Sequence, residues 1–187
     1  HRGGGHLLPR GRWEGAARGE GEVNAQGEKE GRGTKVSVSG NIHEGQWLAG
    51  EKHGQGKSTS CTGDVYEGEF QKDDYHGRGK MTFAGGGSYD GEFQGALFHG
   101  RGKQTYAEGF SYDGEWADGK KHGIATFTYP DGRAMVSCYE AGADVGQGVA
   151  WSADRTKAWE MQGGQPVRDI SLDEAAKIAE RIGLPPP

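Results

Sequence analysis

The sequence predicts a mainly β fold: an elongated, single-layer, twisted antiparallel sheet of repeated β-hairpins with a C-terminal capping α-helix. Three observations predict it. The first is a fixed period of 23 residues: Val65-Tyr66-Glu67-Gly68-Glu69-Phe70 returns as Ser88-Tyr89-Asp90-Gly91-Glu92-Phe93 and as Ser111-Tyr112-Asp113-Gly114-Glu115-Trp116. One step back it reads Ile42-His43-Glu44-Gly45-Gln46-Trp47. A period of this length marks an array of supersecondary units. The second is alternation: Tyr66, Gly68 and Phe70 point one way while Glu67 and Glu69 point the other, the two-residue period of a strand. The third is composition. Apolar residues make up 32% of the chain and glycine supplies 37 of 187 residues, too little for a thick two-layer core, whereas stacked repeats bury their faces only against neighbours.

The elements follow in chain order. Residues 1–19 lack the register and are expected to be a flexible segment rich in glycine and arginine. Residues 20–40 read as a degenerate first repeat and 41–132 as regular repeats. In each repeat the Tyr-x-Gly-x-Phe stretch forms the first strand, with the aromatic face packed and the carboxylate face wet. The second strand alternates Thr82 with Met81 and Phe83, residue types that suit a pleated surface. Gln71-Lys72-Asp73-Asp74-Tyr75-His76-Gly77 carries turn chemistry between them. Gly68, on the aromatic face, leaves a hole in which a neighbouring strand's ring can lie. Gly77 and Gly79 supply positive φ or a close backbone approach at a bend.

Residues 133–170 are degenerate terminal repeats, since Met135-Val136-Ser137-Cys138-Tyr139 has lost the central glycine and Trp151 and Trp159 flank one more hairpin. Residues 171–187 are a capping helix and a proline-rich end. Ser171 and Glu174 form a capping box, Leu172, Ala175, Ala176, Ala179 and Ile182 make a helical stripe, and Gly183 and Pro185 stop the helix. A helix over 172–182 packed on the final hairpin would cover the last strand, an edge that otherwise invites association. Docking of a partner by that helix is the other reading.

Tyr-x-Gly-x-Trp/Phe, a short gap and then His-Gly-x-Gly, recurring in register over residues 41–132, resembles the MORN repeat family. The resemblance implies one β-hairpin per repeat, stacked into a single twisted antiparallel sheet with an aromatic-lined groove. Some members join such repeats to catalytic domains, for which this chain has no room after residue 132.

The residues argue against chemistry. Successive histidines of the column His53, His76, His99 and His122 would stand about 10 Å apart, two strand spacings, too far to share an ion. The acids Glu67, Asp90 and Asp113 are spaced alike. Neither Cys61 nor Cys138 has a base at a recognisable spacing, and no nucleotide loop is present. No catalytic, cofactor or metal site is expected. The net charge of −5 lacks the basic footprint of a nucleic-acid binder, and no apolar run approaches a membrane span. Two free thiols fit a reducing compartment, and His1 in place of an initiating Met fits a processed or shortened chain.

The function expected is therefore a non-catalytic protein–protein interaction scaffold, a structural subunit of a multiprotein complex whose partners are other protein subunits. Trp47, Tyr66, Phe70, Tyr89, Phe93, Tyr112 and Trp116 are the candidate partner-binding groove, aromatic anchors along one face. The resemblance points to an intracellular setting, cytoskeletal or ciliary first, with an organelle such as a plastid or mitochondrion as the alternative. Two further readings stay open: binding of acidic phospholipid through peripheral membrane association, and homo-oligomer formation. An acidic row of Glu67, Glu69, Asp90, Glu92, Asp113 and Glu115, set against one thin basic column of Lys57, Lys80 and Lys103, argues against the lipid.

Overall fold

Alternating side chains and tight turns convert the period into hairpins. The computed structural model describes residues 10–13 and 18–183. The described residues up to Ala84, with Gln94–Ala96, form one compact unit, and Gly85–Phe93 with those from Leu97 onward form a second. The first unit holds β1 Arg10–Trp13, β2 Arg18–Val23, β3 Lys29–Val36, β4 Ile42–Leu48, β5 Glu51–Thr59, β6 Val65–Gln71 and β7 Asp74–Thr82. Each pairs antiparallel with the next. The second holds β8 Gly87–Gln94, β9 Leu97–Tyr106, β10 Ser111–Ala117, β11 Lys120–Thr128, β12 Ala134–Glu140, β13 Ala143–Trp151, β14 Ala158–Gln162, β15 Gln165–Ile170 and the helix α1 Leu172–Arg181. From β9 to β15 each strand again pairs antiparallel with its successor. The mainly β fold of repeated antiparallel hairpins with one C-terminal helix is thus present.

Residues 10–13, inside the stretch expected to be flexible, form β1, and Arg18 and Gly19 begin β2. The remainder of 1–19, like the proline-rich end at 184–187, lies outside the described residues. The degenerate first repeat is the β2–β3 hairpin.

Two local features differ from the alternation read along the chain. The turn is shorter than the stretch Gln71–Gly77: Lys72 and Asp73 alone make it, at φ 51° and 70°, a two-residue connection whose twist matches the flanking strands. Asp74, Tyr75 and His76 already belong to β7. The second strand is also bulged. Gly68 pairs with Gly79 and Glu69 with His76, so Gly77 and Arg78 have no Cα partners on β6. The left-handed φ of Gly77, 56°, makes this bulge, and glycine adopts it without strain.

The helix starts where expected. Ser171 Oγ accepts from Glu174 N at 3.1 Å, and Gly183 N returns to Glu180 O at 3.0 Å. Its seat is a face rather than an edge. Ala175, Ile178 and Ala179 pack with Val136, Val149, Trp151 and Ala158, with Ile124, Ile170 and Ile182 around them. Ala158 and Ile170 belong to the final hairpin, but β15 stays exposed along most of its length. The strands explain this. Val136 stands where earlier repeats carry Glu67, Asp90 and Asp113, so the wet face becomes apolar there and accepts α1. β12 is accordingly buried on both faces.

Candidate functional site

Two repeats are each built around a tyrosine lying on a pair of glycines, Tyr66 on Gly68 and Gly79 and Tyr89 on Gly91 and Gly102; in the Tyr112 repeat Ala125 takes the place of the second glycine. A Cβ on Gly68 would stand 2.7 Å from Tyr66 Oη, and one on Gly79 would stand 2.6 Å from Tyr66 Cζ. The hole over Gly68 is therefore filled by the ring of its own strand, two residues earlier, and not by a neighbouring strand's ring. The Tyr66 hydroxyl donates to Glu69 O at 2.8 Å and His76 O at 3.3 Å. Tyr89 and Tyr112 repeat this with Glu92 and His99, and with Glu115 and His122. Burial pushes all three phenols well above their ordinary pKa. A second ring covers the first: Tyr75 stacks on Tyr66 at 3.9 Å and Phe98 on Tyr89 at 3.7 Å. Phe70, Phe93 and Trp116 meet these tyrosines edge-on at 4.9–5.1 Å.

The seven residues proposed for a groove are core within their own units, Trp47, Tyr66 and Phe70 in the first and Tyr89, Phe93, Tyr112 and Trp116 in the second. Tyr66, Tyr89 and Tyr112 are 0% exposed, and Trp47, Phe70, Phe93 and Trp116 are 3–5% exposed. With glycine beneath them the Tyr66 and Tyr89 rings sink onto the backbone. The part of this face open to solvent is the layer above and beside them. In the first unit that layer is Tyr75 with Lys29, Lys35 and Lys52. In the second it is Phe98, Tyr106, Phe127 and Tyr129, all half-buried, with Lys121 about 5 Å from the Tyr112 and Phe127 ring centres and Arg133 4.8 Å from that of Tyr129.

The regular repeat that opens at residue 41 departs from the pattern. His43 takes the tyrosine position, is 4% exposed, and shares a hydrogen bond of 2.9 Å between Nδ1 and Ser58 Oγ. Its rings of contact are Trp47 at 5.1 Å and Phe70 at 4.6 Å. Nε2 is buried with no hydrogen-bond partner. Burial first, then the charge of Lys52, lowers its pKa to about 4, against an opposing pull from Asp73.

The opposite face is not the acidic row read from the sequence. Glu44 and Glu67 pair across Lys57, and Glu67 pairs with Lys80, with Lys57 Nζ 2.7 Å from Glu67 Oε1. Asp113 pairs with Lys103. The antiparallel register interleaves the two columns into a ladder of alternating charge. Glu69 has a different duty: its carboxylate accepts from Arg78 N at 3.3 Å inside the bulge, as Glu92 does from Arg101 N at 3.2 Å. Gln46 serves Gln55 N in the same way at 3.2 Å.

Sequence reading also missed a staple between successive turns. Asn41 Oδ1 accepts from Cys61 N at 2.8 Å, and Asp64 Oδ1 accepts from Ala84 N at 2.9 Å. Asn41 and Asp64 stand one period apart, so the signal was present. Both cysteines are free. Among the described residues no group of three or more His, Cys, Asp or Glu is placed to hold a metal ion, and no helix is long and apolar enough to cross a membrane.

A family profile described as the MORN repeat matches residues 25–42, 43–65, 66–88, 89–110 and 112–132. No curated protein matches the chain. Among solved structures, the SAS-4 (dCPAP) TCP domain of Drosophila melanogaster, in complex with a proline-rich motif of Ana2 (dSTIL), is similar at 11% identity. That similarity covers 89% of this chain and 97% of that one, with a TM-score of 0.45. The wild-type TCP10 domain of Danio rerio CPAP, in complex with a peptide of Danio rerio STIL, is similar at 12% identity, covering 83% and 89%, with a TM-score of 0.34.

Proposed function

The chain belongs to the MORN repeat family, and from that premise we propose that it is a non-catalytic protein–protein interaction scaffold, a structural subunit of a larger assembly. The observation that carries this reading is the layered aromatic face. Half-buried rings such as Phe98, Tyr106, Phe127 and Tyr129 are held over a hydrogen-bonded floor of tyrosine and glycine. Pre-ordered aromatics lose little freedom when a partner covers them, which makes them good anchors. The recurring tyrosines, the bulge glutamates and the Lys57–Glu67 pair are engaged in floor, bulge and ladder, which supports a scaffolding role. The family resemblance favours a cytoskeletal or ciliary assembly, or one associated with an organelle membrane.

The experiment is co-purification of partner subunits with Tyr106→Glu and Tyr129→Glu chains. Both residues are accessible, and neither belongs to the floor. Partners should be lost while the far-ultraviolet circular dichroism is unchanged. Retention of every partner by both variants refutes the reading. The phospholipid alternative has one observation in its favour, the lysines of the first unit.

A further inference from the structure

The layer above the tyrosine floor differs from one tyrosine to the next. Tyr75 covers Tyr66 and Phe98 covers Tyr89, ring on ring. Over Tyr112 the corresponding residue is Lys121, a flexible chain. Lysine also fills this column at Lys29 and Lys52, so the lysine itself is not the departure. Its surroundings are. Counted from Lys121, four aromatic positions are Tyr106, Tyr112, Phe127 and Tyr139; counted from Lys52, three periods earlier, the same positions are Ser37, His43, Ser58 and Phe70. One ring from each of β9, β10, β11 and β12 thus converges on a single ammonium. Lys121 Nζ lies 5.0 Å from the Tyr112 centroid, 5.1 Å from that of Phe127, 5.4 Å from that of Tyr106 and 5.9 Å from that of Tyr139. Among the described residues no carboxylate stands within ion-pair distance of it.

We propose that Tyr106, Tyr112, Phe127 and Tyr139 form a cage for a trimethylated lysine of a partner protein, and that Lys121 fills the cage until such a residue displaces it. The inference rests on the scaffold reading above and names the chemistry that the aromatic face of the second unit takes. The resident cation is the argument. The cage already holds an ammonium, by ring faces alone. A primary ammonium is strongly hydrated and leaves its donors unmet among rings. A trimethylammonium has no N–H to satisfy, and aromatic faces receive its methyl groups well. Exchange therefore returns the Lys121 ammonium to water and seats the cation that loses least hydration. Asp144 adds to the preference for positive charge. It stands opposite Tyr139 on β13, its Oδ1 accepts from Ser137 Oγ at 2.6 Å, and its Oδ2 is buried with no hydrogen-bond partner. Its charge is felt in the cage wall: burial first, then Asp144, raises the Tyr139 phenol above its ordinary pKa. Arg133, another cation of this face, is paired with Asp131 over Tyr129, which is not one of these four rings. The floor ring Tyr112 is fully buried, so the cation must arrive on a thin stem, as a lysine delivers it. A choline headgroup packed among its neighbours in a membrane has no such reach.

The test is fluorescence anisotropy of the full chain with a labelled glycine–serine peptide that carries one trimethyl-lysine. The wild type should bind it at least about fivefold tighter than the same peptide with unmodified lysine. Lys121→Ala should tighten binding about two- to fivefold, because the resident cation no longer competes. Phe127→Ala should weaken it at least about fivefold. Phe127→Leu, which keeps an apolar side chain but no ring face, should do the same, and circular dichroism checks the fold of each variant. The inference is overturned if a neutral peptide with tert-butyl in place of trimethylammonium binds equally. It is overturned as well if the wild type does not bind the peptide, if Lys121→Ala weakens binding or leaves it unchanged, or if both Phe127 variants bind like the wild type. Vesicles of phosphatidylcholine that bind in a Phe127-dependent way while the peptide does not would also overturn it. Tyr129 is not one of the four rings, so loss of partner subunits by Tyr129→Glu together with no peptide binding would remove this inference and leave the scaffold reading standing.

Discussion

Gly79→Ala isolates the contact on which the repeat is built. Gly79 lies outside the left-handed region, so alanine meets no backbone strain there. Its Cβ would stand 2.5 Å from Tyr66 Cε2 and 2.6 Å from Cζ. Tyr112 keeps its seat beside Ala125, the residue that replaces this glycine two repeats on, but there Lys121 rather than a ring lies over it; Tyr75, stacked at 3.9 Å, bars Tyr66 from lifting in that way, so it must leave its seat. Exposing half of a tyrosine's roughly 200 Å² at about 25 cal/mol per Å² costs about 2.5 kcal/mol. Losing the hydroxyl's bonds to Glu69 O and His76 O adds about 1 kcal/mol. The stiffer unfolded chain returns about 0.5 kcal/mol, leaving a net loss of about 3 kcal/mol. In a Tyr66→Ala background the ring is absent, and the same substitution should be nearly neutral. The assay is a double-mutant cycle in urea, read also by hydrogen exchange of β6 and β7 amides, since repeats can unfold separately. Costs that add within about 0.5 kcal/mol would refute the reasoning.

Other outcomes follow from the same geometry. His43 has a folded pKa of about 4 against an ordinary 6.5. The unfolded chain therefore takes up the proton first, and the first unit should lose stability as pH falls from about 6.5 towards 4, by at most about 3 kcal/mol. His43→Tyr, which restores the column's residue, should remove that part of the loss in thermal melts at the two ends of the range. Glu69→Ala should cost about 1 kcal/mol by freeing the bulge amide, whereas Glu69→Gln should cost much less, because Gln46 already holds the equivalent amide; urea midpoints decide. Val136→Asp restores the acid that the column carries at Asp90 and Asp113. It should release α1 at a cost of about 3 kcal/mol or more, seen as lost helical dichroism and a red shift of Trp151 emission. Helix signal that survives unchanged would place the seat elsewhere.

What could be read in advance was whatever repeats with a fixed period. The 23-residue spacing gives the strands, and the Ser171–Glu174 box gives the helix start. The bulge was not legible because a two-residue alternation was carried straight through Gly77 and Gly79. A single left-handed residue changes which side chains face which way, which is why Glu69 reads as a wet carboxylate and acts as a clamp. The seven residues expected to line a groove are buried, a depth that the sequence pattern did not show. Alternation reports direction only. Tyr66 sinks onto the two glycines paired beneath it, Gly68 and Gly79, and that pairing is set by register between strands. The lysine cluster was hidden for a related reason. Lys29 and Lys52 stand in a column that Lys121 continues but Tyr75 and Phe98 interrupt, and Lys35 belongs to a second column that otherwise holds Ser58, Met81, Gln104 and Phe127.

A repeat that is mechanically satisfied has little left with which to choose a partner. The tyrosine hydroxyl is bonded to two carbonyls, the bulge glutamate to an amide, and Glu67 to Lys57; a partner that took any of them would first have to break the fold. Selectivity therefore falls to substitutions that leave the floor intact and change the layer above it. In the first unit that layer holds Tyr75 with Lys29, Lys35 and Lys52, and in the second Phe98, Tyr106, Phe127 and Tyr129 with Lys121 and Arg133. At Val136 the same logic works on the other face, where the charge ladder turns apolar and the occupant is the chain's own helix. The helix shows what a ladder face needs before it can hold an amphipathic partner: the acid and lysine columns must both be replaced, as they are at Val136 and Val149. Glu44, Lys57, Glu67 and Lys80 keep their charges, so the ladder of the first unit is not prepared for such a partner.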